Sequence, residues 1–271
     1  MIKSGVITHG HWQHQEFEPA EALRDTIKCF WHNKRSFENT ASEFQVMPDS
    51  STEIIFYFGS PCYLVVNESR HLLSSPFMIG LLEQPAVFAA ANHLEIIGIR
   101  CYPWTVYNLL GLPVANGGVQ MLQHPVAQLL PVLKEYIACG NVEKALDHVQ
   151  QYFLRACARI TTDNPLSKAG AAMSEANGTL PVSSIAAAAH STVRTLERKF
   201  RQSSGHTVKD ISGLMRFEQV RNRLLLQPDT GLAGLALEAG YTDQAHLSRA
   251  FKRYSGITPA AFARNAKQAK S

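Results

Sequence analysis

The sequence predicts an α+β protein in two parts: a β-barrel or sandwich with a helical hairpin, then an all-α domain holding two helix-turn-helix units. Three observations predict it. Short apolar runs separated by turn residues fill residues 43–103, helical periodicity replaces them from Val126, and one helical pattern occurs twice in the last third. At 271 residues, 45% hydrophobic and 18% charged, the chain is long enough for two folded domains. The boundaries expected are 1–160 for the β-rich domain with its hairpin, 161–170 for a linker and 171–271 for the helical domain.

The formal net charge of +4 is unevenly divided. Residues 1–164 hold 11 Lys/Arg against 15 Asp/Glu, a net of −4, whereas residues 165–271 hold 15 against 7, a net of +8. A region carrying the whole positive balance suits a domain that meets a polyanion; an ordinary basic surface is the alternative. The five cysteines (Cys29, Cys62, Cys101, Cys139, Cys157) are odd in number, widely spaced and free of any C-x-x-C pair. That speaks against a disulfide scaffold or a zinc finger and for a reducing, cytoplasmic setting. No apolar stretch near Met1 has the form of a signal peptide, and no run reaches the ~18 residues of a membrane span, so no membrane partner is expected.

Taken in order, Pro19-Ala-Glu-Ala-Leu-Arg-Asp-Thr-Ile-Lys-Cys-Phe-Trp31 starts as a helix, with acidic residues in its first turn. Strands follow at Glu53–Phe58, Cys62–Val66, Phe77–Ile79, Ala86–Ala90 and Leu94–Arg100, parted by Pro48-Asp-Ser50, Gly59-Ser-Pro61, Ser74-Ser-Pro76 and Asn92-His93. Between Val126 and Ile160, Leu129, Leu130, Leu133 and Ile137, then Val142, Leu146, Val149, Phe153 and Leu154 recur at helical spacing. Gly140-Asn141 divides them into a hairpin of two helices. Thr161-Thr-Asp-Asn-Pro165 reads as a linker.

The duplicated pattern lies beyond it. Ile185-Ala186 leads to Leu196-Glu-Arg198-Lys-Phe200, and Leu235-Ala236 leads to Leu247-Ser-Arg249-Ala-Phe251. The distance from Ala to Leu is ten residues in the first and eleven in the second, so the turn differs by one residue. A small residue at Ala186 or Ala236 lets two steeply crossed helices approach. Gly240 falls where a left-handed residue is needed, and Thr192 and Asp243 are good N-caps. Leu and Phe four apart anchor the second helix, leaving the Arg between them free to enter a groove.

On these residues the chain resembles the AraC family of transcription activators, from about Leu180 to Arg264. The closest part is Gly240-Tyr-Thr-Asp-Gln-Ala-His-Leu-Ser-Arg-Ala-Phe-Lys-Arg-Tyr-Ser-Gly-Ile-Thr-Pro259. The first unit fits through Thr192-Val-Arg-Thr-Leu-Glu-Arg-Lys-Phe-Arg201 and Gly205-His-Thr207. Two positions depart: His190 stands where the family has an apolar residue or Gly, and Thr207 where it has Pro. The resemblance implies two units joined by a long helix over Lys209–Leu226, their recognition helices entering major grooves ~34 Å apart on double-stranded promoter DNA. RNA polymerase is a further expected partner, above all for an activator that works without a ligand. Arg194, Glu197 and Arg198 match contacting positions of the first recognition helix; Gln244, Ala245, His246 and Arg249 match those of the second. Arg suits guanine and Gln adenine, while Thr195, Arg201, Ser248 and Arg253 are placed for phosphates. The Arg side chains serve equally as solvated helix charges, and Glu197 orients an Arg as readily as it accepts from cytosine.

Met47-Pro-Asp-Ser-Ser-Thr-Glu-Ile-Ile-Phe56 and Ile97-Gly-Ile-Arg-Cys-Tyr-Pro103 resemble segments upstream of this domain in one branch of the family, which implies a cupin-like β-domain. A small effector in such a domain would be lined by Trp31, Phe56, Phe58, Arg100 and Trp104, or these residues are simply core. The helical hairpin serves either as the surface of a homodimer or as a cover for the barrel. His9-Gly-His11 with His14 is the one His cluster, and it precedes the strands; no metal site and no cofactor are expected. No Gly-x-Ser-x-Gly or phosphate-binding glycine loop occurs, so no catalytic residues are assigned. An alkyl-transfer enzyme would need a Pro-Cys-His setting, and Pro61-Cys62-Tyr63 lacks the His. The alternative to an effector-modulated regulator is a ligand-independent monomeric activator with a purely structural N-terminal domain.

Overall fold

The computed structural model describes residues 12–37, 42–112, 118–157 and 165–269. The His9–His11 cluster and residues 161–164 of the expected linker lie outside the described residues, and the rest of that expected linker, from Pro165, is helix rather than linker. The chain divides into two compact units: the first spans residues up to Thr162, the second residues from Asp163 onward, with Met47–Ser50 and Leu81–Pro85 grouped with the second. Among the described residues no helix is long and apolar enough to cross a membrane.

Among the described residues ten strands build the first unit: β1 (Trp12–Phe17), β2 (Ile27–Ser36), β3 (Ser42–Val46), β4 (Thr52–Gly59), β5 (Cys62–Val66), β6 (Ser69–Leu72), β7 (Phe77–Ile79), β8 (Ala86–Ala90), β9 (His93–Cys101) and β10 (Val119–Met121). They form a six-stranded sheet, β1-β2-β9-β4-β7-β10, and a four-stranded sheet, β3-β8-β5-β6, with antiparallel pairing throughout. The strand β9 lies at the centre of the larger sheet, where Ile96, Ile97 and Ile99 suit a pleated surface. The helix expected over Pro19–Trp31 is a single 3-10 turn at Glu21–Leu23. From Ile27 the chain is extended and pairs with β1 on one side and β9 on the other. Ladder bonds along both edges, with Ile27, Phe30 and Trp31 packed on a sheet, override a helix-start signal that is only local.

The larger sheet has two different faces. Alternation in register puts Phe30, Ile54, Phe56, Phe58, Ile97 and Ile99 on one of them, against the helices α1 (Val106–Leu110), α2 (Leu130–Ala138) and α3 (Val142–Cys157). There Leu133, Ile137, Leu146, Val149 and Phe153 are buried, each worth about 1.5–3 kcal/mol. The apolar face of the hairpin is thus taken up by its own sheet. Of the two roles expected for the hairpin, this is the cover for the barrel. The other face of the sheet meets the smaller sheet: Phe77 stacks on Phe88 at 6.1 Å, Phe88 on Phe44 at 5.8 Å and Phe44 on Phe37 at 6.0 Å.

The second unit is all helix: α4 (Pro165–Glu175), α5 (Val182–Ala188), α6 (Val193–Ser204), α7 (Val208–Leu226), α8 (Leu232–Glu238), α9 (Gln244–Ser255) and α10 (Pro259–Gln268). Its core joins Ile185, Leu196 and Phe200 to Ile211, Phe217 and Val220 of α7, and these to Leu235, Leu247, Phe251 and Phe262. A full capping box starts α7: Thr207 accepts from the Asp210 N–H, and the Asp210 carboxylate accepts from the Thr207 N–H. Burial opposes ionisation of Asp210, but the bonds from Thr207 outweigh it and hold the carboxyl below its ordinary pKa.

Candidate functional site

The two helix-turn-helix units share their backbone bonds. In the first turn Ala189, His190 and Ser191 donate to the carbonyls of Ile185, Ala187 and Ala186; in the second, Ala239, Gly240 and Tyr241 donate to those of Leu235, Leu237 and Ala236. Gly240 has φ +71°, and His190 takes the same left-handed role at φ +48°. Equivalent residues are 50 apart up to this point. From the caps onward they are 51 apart, because the second unit has one extra residue between turn and cap.

Thr192 accepts from the Thr195 N–H to open α6, and Asp243 accepts from the His246 N–H at 2.7 Å to open α9. That bond holds the Asp243 carboxyl below its ordinary pKa. The agreement continues to the helix ends, where the hydroxyls of Ser204 and Ser255 donate to Phe200 and Phe251, both at 2.8 Å. Thr207 is therefore equivalent to Thr258, the N-cap of α10, and Val208 to Pro259. The family proline belongs at Val208, one residue beyond the Thr207 position assigned from sequence.

With Leu196, Phe200, Leu247 and Phe251 buried, the opposite faces of α6 and α9 are open. Arg194, Arg198 and Arg201 are exposed at successive turns of α6, as are Gln244, Ala245, Arg249 and Arg253 of α9; Thr195, His246 and Ser248 are half-buried beside them. Among the described residues Arg194, Arg198, Arg201 and Arg249 make no ion pair or hydrogen bond through their side chains. The 51-residue offset pairs Arg198 with Arg249 and Arg201 with Lys252. Exposed Lys252 is a member of this face that sequence reasoning left out, although the offset between the two Leu-x-Arg-x-Phe endings already pointed to it.

Two side chains are more constrained than the sequence implied. Glu197 accepts from the Val208 N–H at 3.2 Å, tying α6 to the start of α7. His246 lies 3.1 Å from the Thr242 hydroxyl and edge-on to Tyr241, whose ring is covered by Arg216. Burial pushes the Tyr241 hydroxyl up to about 12.

The residues expected to line an effector pocket are not brought together. Phe56 and Phe58 lie on the helix-facing side of the larger sheet, because alternation from Ile54 sends them there. Trp104 is buried against Tyr102 at 5.1 Å, beyond the end of β9. Trp31 and Arg100 do share the inner, inter-sheet face. Trp31 lies over Gly98, where a Cβ would come within 2.0 Å of its ring. Arg100 is already neutralised, donating to Glu53 at 2.9 Å and Glu16 at 2.8 Å. Arg35, on the same face and 9% exposed, was missed because a charged residue in a strand reads as solvent-facing.

Two matched units in one helical body define a double helix-turn-helix DNA-binding domain. Residues 185–265 match the family described as "Helix-turn-helix domain", and residues 15–118 match a domain of unknown function, DUF6597. Among curated proteins none matches the chain. ToxT from Vibrio cholerae strain SCE256, solved with an unsaturated fatty acid bound, is 10% identical over 95% of this chain and 97% of its own, with a TM-score of 0.47. An AraC-type regulator from Chromobacterium violaceum is 24% identical over 38% of this chain and 93% of its own, at 0.35. A DNA-binding transcriptional dual regulator from Escherichia coli K-12 is 15% identical over 39% and 94%, also at 0.35. Residues 185–265 thus form a helix-turn-helix domain of the AraC type.

Proposed function

We propose that the chain is a sequence-specific regulator that grips one face of a promoter duplex through both recognition helices and responds to a small effector held by its β-rich part. The observation carrying this reading is the duplicated open face: two helices of equal build, each with unpaired cations above a buried Leu–Phe anchor. Arg198, Arg249 and Gln244 read base edges, where guanidinium and amide groups suit guanine and adenine. Arg194, Thr195, Arg201, Ser248, Lys252 and Arg253 hold phosphates, which set register. Ala245 and His246 lie against the bases between them. Glu197 is a positioning residue, since its carboxylate serves the start of α7.

Selection of bound sequences from a random duplex pool, followed by footprinting, tests this. Two protected major-groove segments about one helical turn apart are expected. A single protected segment would refute the double grip. The effector role rests on the inner face of the sandwich, which presents buried polar groups in an otherwise apolar setting. It is tested by measuring DNA affinity with and without small molecules that bind the full chain; an affinity indifferent to every bound compound would refute it.

A further inference from the structure

The guanidinium of Arg35 lies between the two sheets of the first unit, 4.4 Å from the Phe37 ring centre and 5.1 Å from that of Phe44. It is 9% exposed, its Nε is buried with no hydrogen-bond partner, and among the described residues no group accepts from its terminal nitrogens. Four residues back on the same strand and face, Trp31 is 7% exposed, and its indole N–H also has no acceptor. Arg100, on the same face, stands in contrast with its two carboxylates. Among the described residues one buried guanidinium is neutralised and the other has no counter-charge. Two aromatic faces return less than burial of an isolated cation costs, and burial pulls the Arg35 pKa below its ordinary value. Buried polar groups left unsatisfied are rare and call for a specific partner.

We propose that the inner face of the β-rich unit binds a monocarboxylate with an apolar body, its carboxylate paired with the Arg35 guanidinium and its body against Phe37 and Phe44. The proposal rests on the effector reading above only in making this carboxylate the effector. The planar fork of Arg matches the two oxygens of a carboxylate. A single positive charge suits a monoanion; a phosphate monoester would bring a second negative charge where Arg100 is already committed. The Trp31 N–H supplies a neutral donor for a polar group elsewhere on the ligand.

The test is thermal unfolding of the full chain, of Arg35→Met, which keeps length without charge, and of Arg35→Lys, which keeps charge without the fork. The probes are octanoate, decanoate, benzoate and phenylacetate at about 1 mM, each beside its alcohol, together with decyl phosphate. At least one carboxylate raises the Tm of the wild type by several degrees where its alcohol does not. The shift shrinks in Arg35→Lys and vanishes in Arg35→Met, which without ligand unfolds at the same temperature as the wild type or higher. A ligand-free Arg35→Met that unfolds earlier would overturn the proposal, because the guanidinium would then be structural. So would four carboxylates no better than their alcohols, or decyl phosphate outperforming decanoate. DNA affinity separates the two readings. A carboxylate that binds through Arg35 without altering wild-type DNA affinity removes the effector role and leaves the site. A compound of other chemistry that alters DNA affinity equally in Arg35→Met removes the site and leaves the effector role.

Discussion

Replacing Arg198 and Arg249 with alanine, singly and together, measures what each recognition helix contributes. Both side chains are exposed and, among the described residues, make no ion pair or hydrogen bond, so truncation disturbs little there and the loss falls on the complex. A bidentate contact to guanine is worth about 1–3 kcal/mol of discrimination, which is about 5- to 150-fold in affinity for the selected site. The two units are separated by α7, whose 19 residues span about 28 Å. With no shared partner, the double variant loses the sum of the two within about 0.5 kcal/mol. Fluorescence anisotropy on the selected duplex and on a scrambled one, across a salt series, is the assay. Arg201→Ala and Lys252→Ala serve as contrasts: each weakens both duplexes alike and flattens the log–log salt slope by about 0.9. Equal losses on scrambled and selected DNA for Arg198→Ala and Arg249→Ala would refute base reading, and a double variant no weaker than either single would refute independent units.

Other outcomes follow from backbone, packing and pH. His190→Gly relieves a left-handed non-glycine residue, and after the flexibility added to the unfolded chain it gains about 0.5–1 kcal/mol, seen as a rise of about 1–3 °C in Tm; a fall in Tm would contradict this. Gly98→Ala forces a Cβ into the Trp31 ring and costs about 1–3 kcal/mol or more by urea denaturation, so an unchanged midpoint would mean the ring is not held there. Asp243 has a folded pKa below its ordinary 3.8 because it accepts from the His246 N–H. Its stabilisation is complete above the unfolded value and fades as pH falls through the folded one. The Tm gap between wild type and Asp243→Ala should therefore be constant from about pH 7 to 5 and narrow as pH falls below about 4; a gap that does not narrow there would place the stabilisation elsewhere.

The helical unit was legible because its signals are local. A small residue at Ala186 or Ala236, a cap at Thr192 or Asp243 and an anchor at Leu and Phe four apart each act within one or two turns of chain. Glu197 was not legible, since its partner Val208 is eleven residues on and joins it only once α6 and α7 are packed. The strands were legible as strands, but alternation does not say which face meets helices and which meets the other sheet. That is why sequence alone groups Phe56 and Phe58 with Trp31, although they point to opposite sides. The segment Pro19–Trp31 failed as a helix for a related reason: its extended form depends on β1 and β9, whose pairing no local pattern announces.

The long helix α7 acts as a ruler. It is capped at its start, carries nine buried residues and packs against helices of both units, so the distance and the angle between the reading heads are set before DNA is met. Once one head is seated, the other searches a small volume, and its encounter becomes intramolecular. On the proposed double grip, the same stiffness would make the protein intolerant of spacing. Adding one base pair between half-sites moves the second by about 3.4 Å along the duplex and about 35° around it, a displacement a rigid spacer cannot follow. Promoters served by this chain should therefore vary in bases more readily than in the interval between their two contacts.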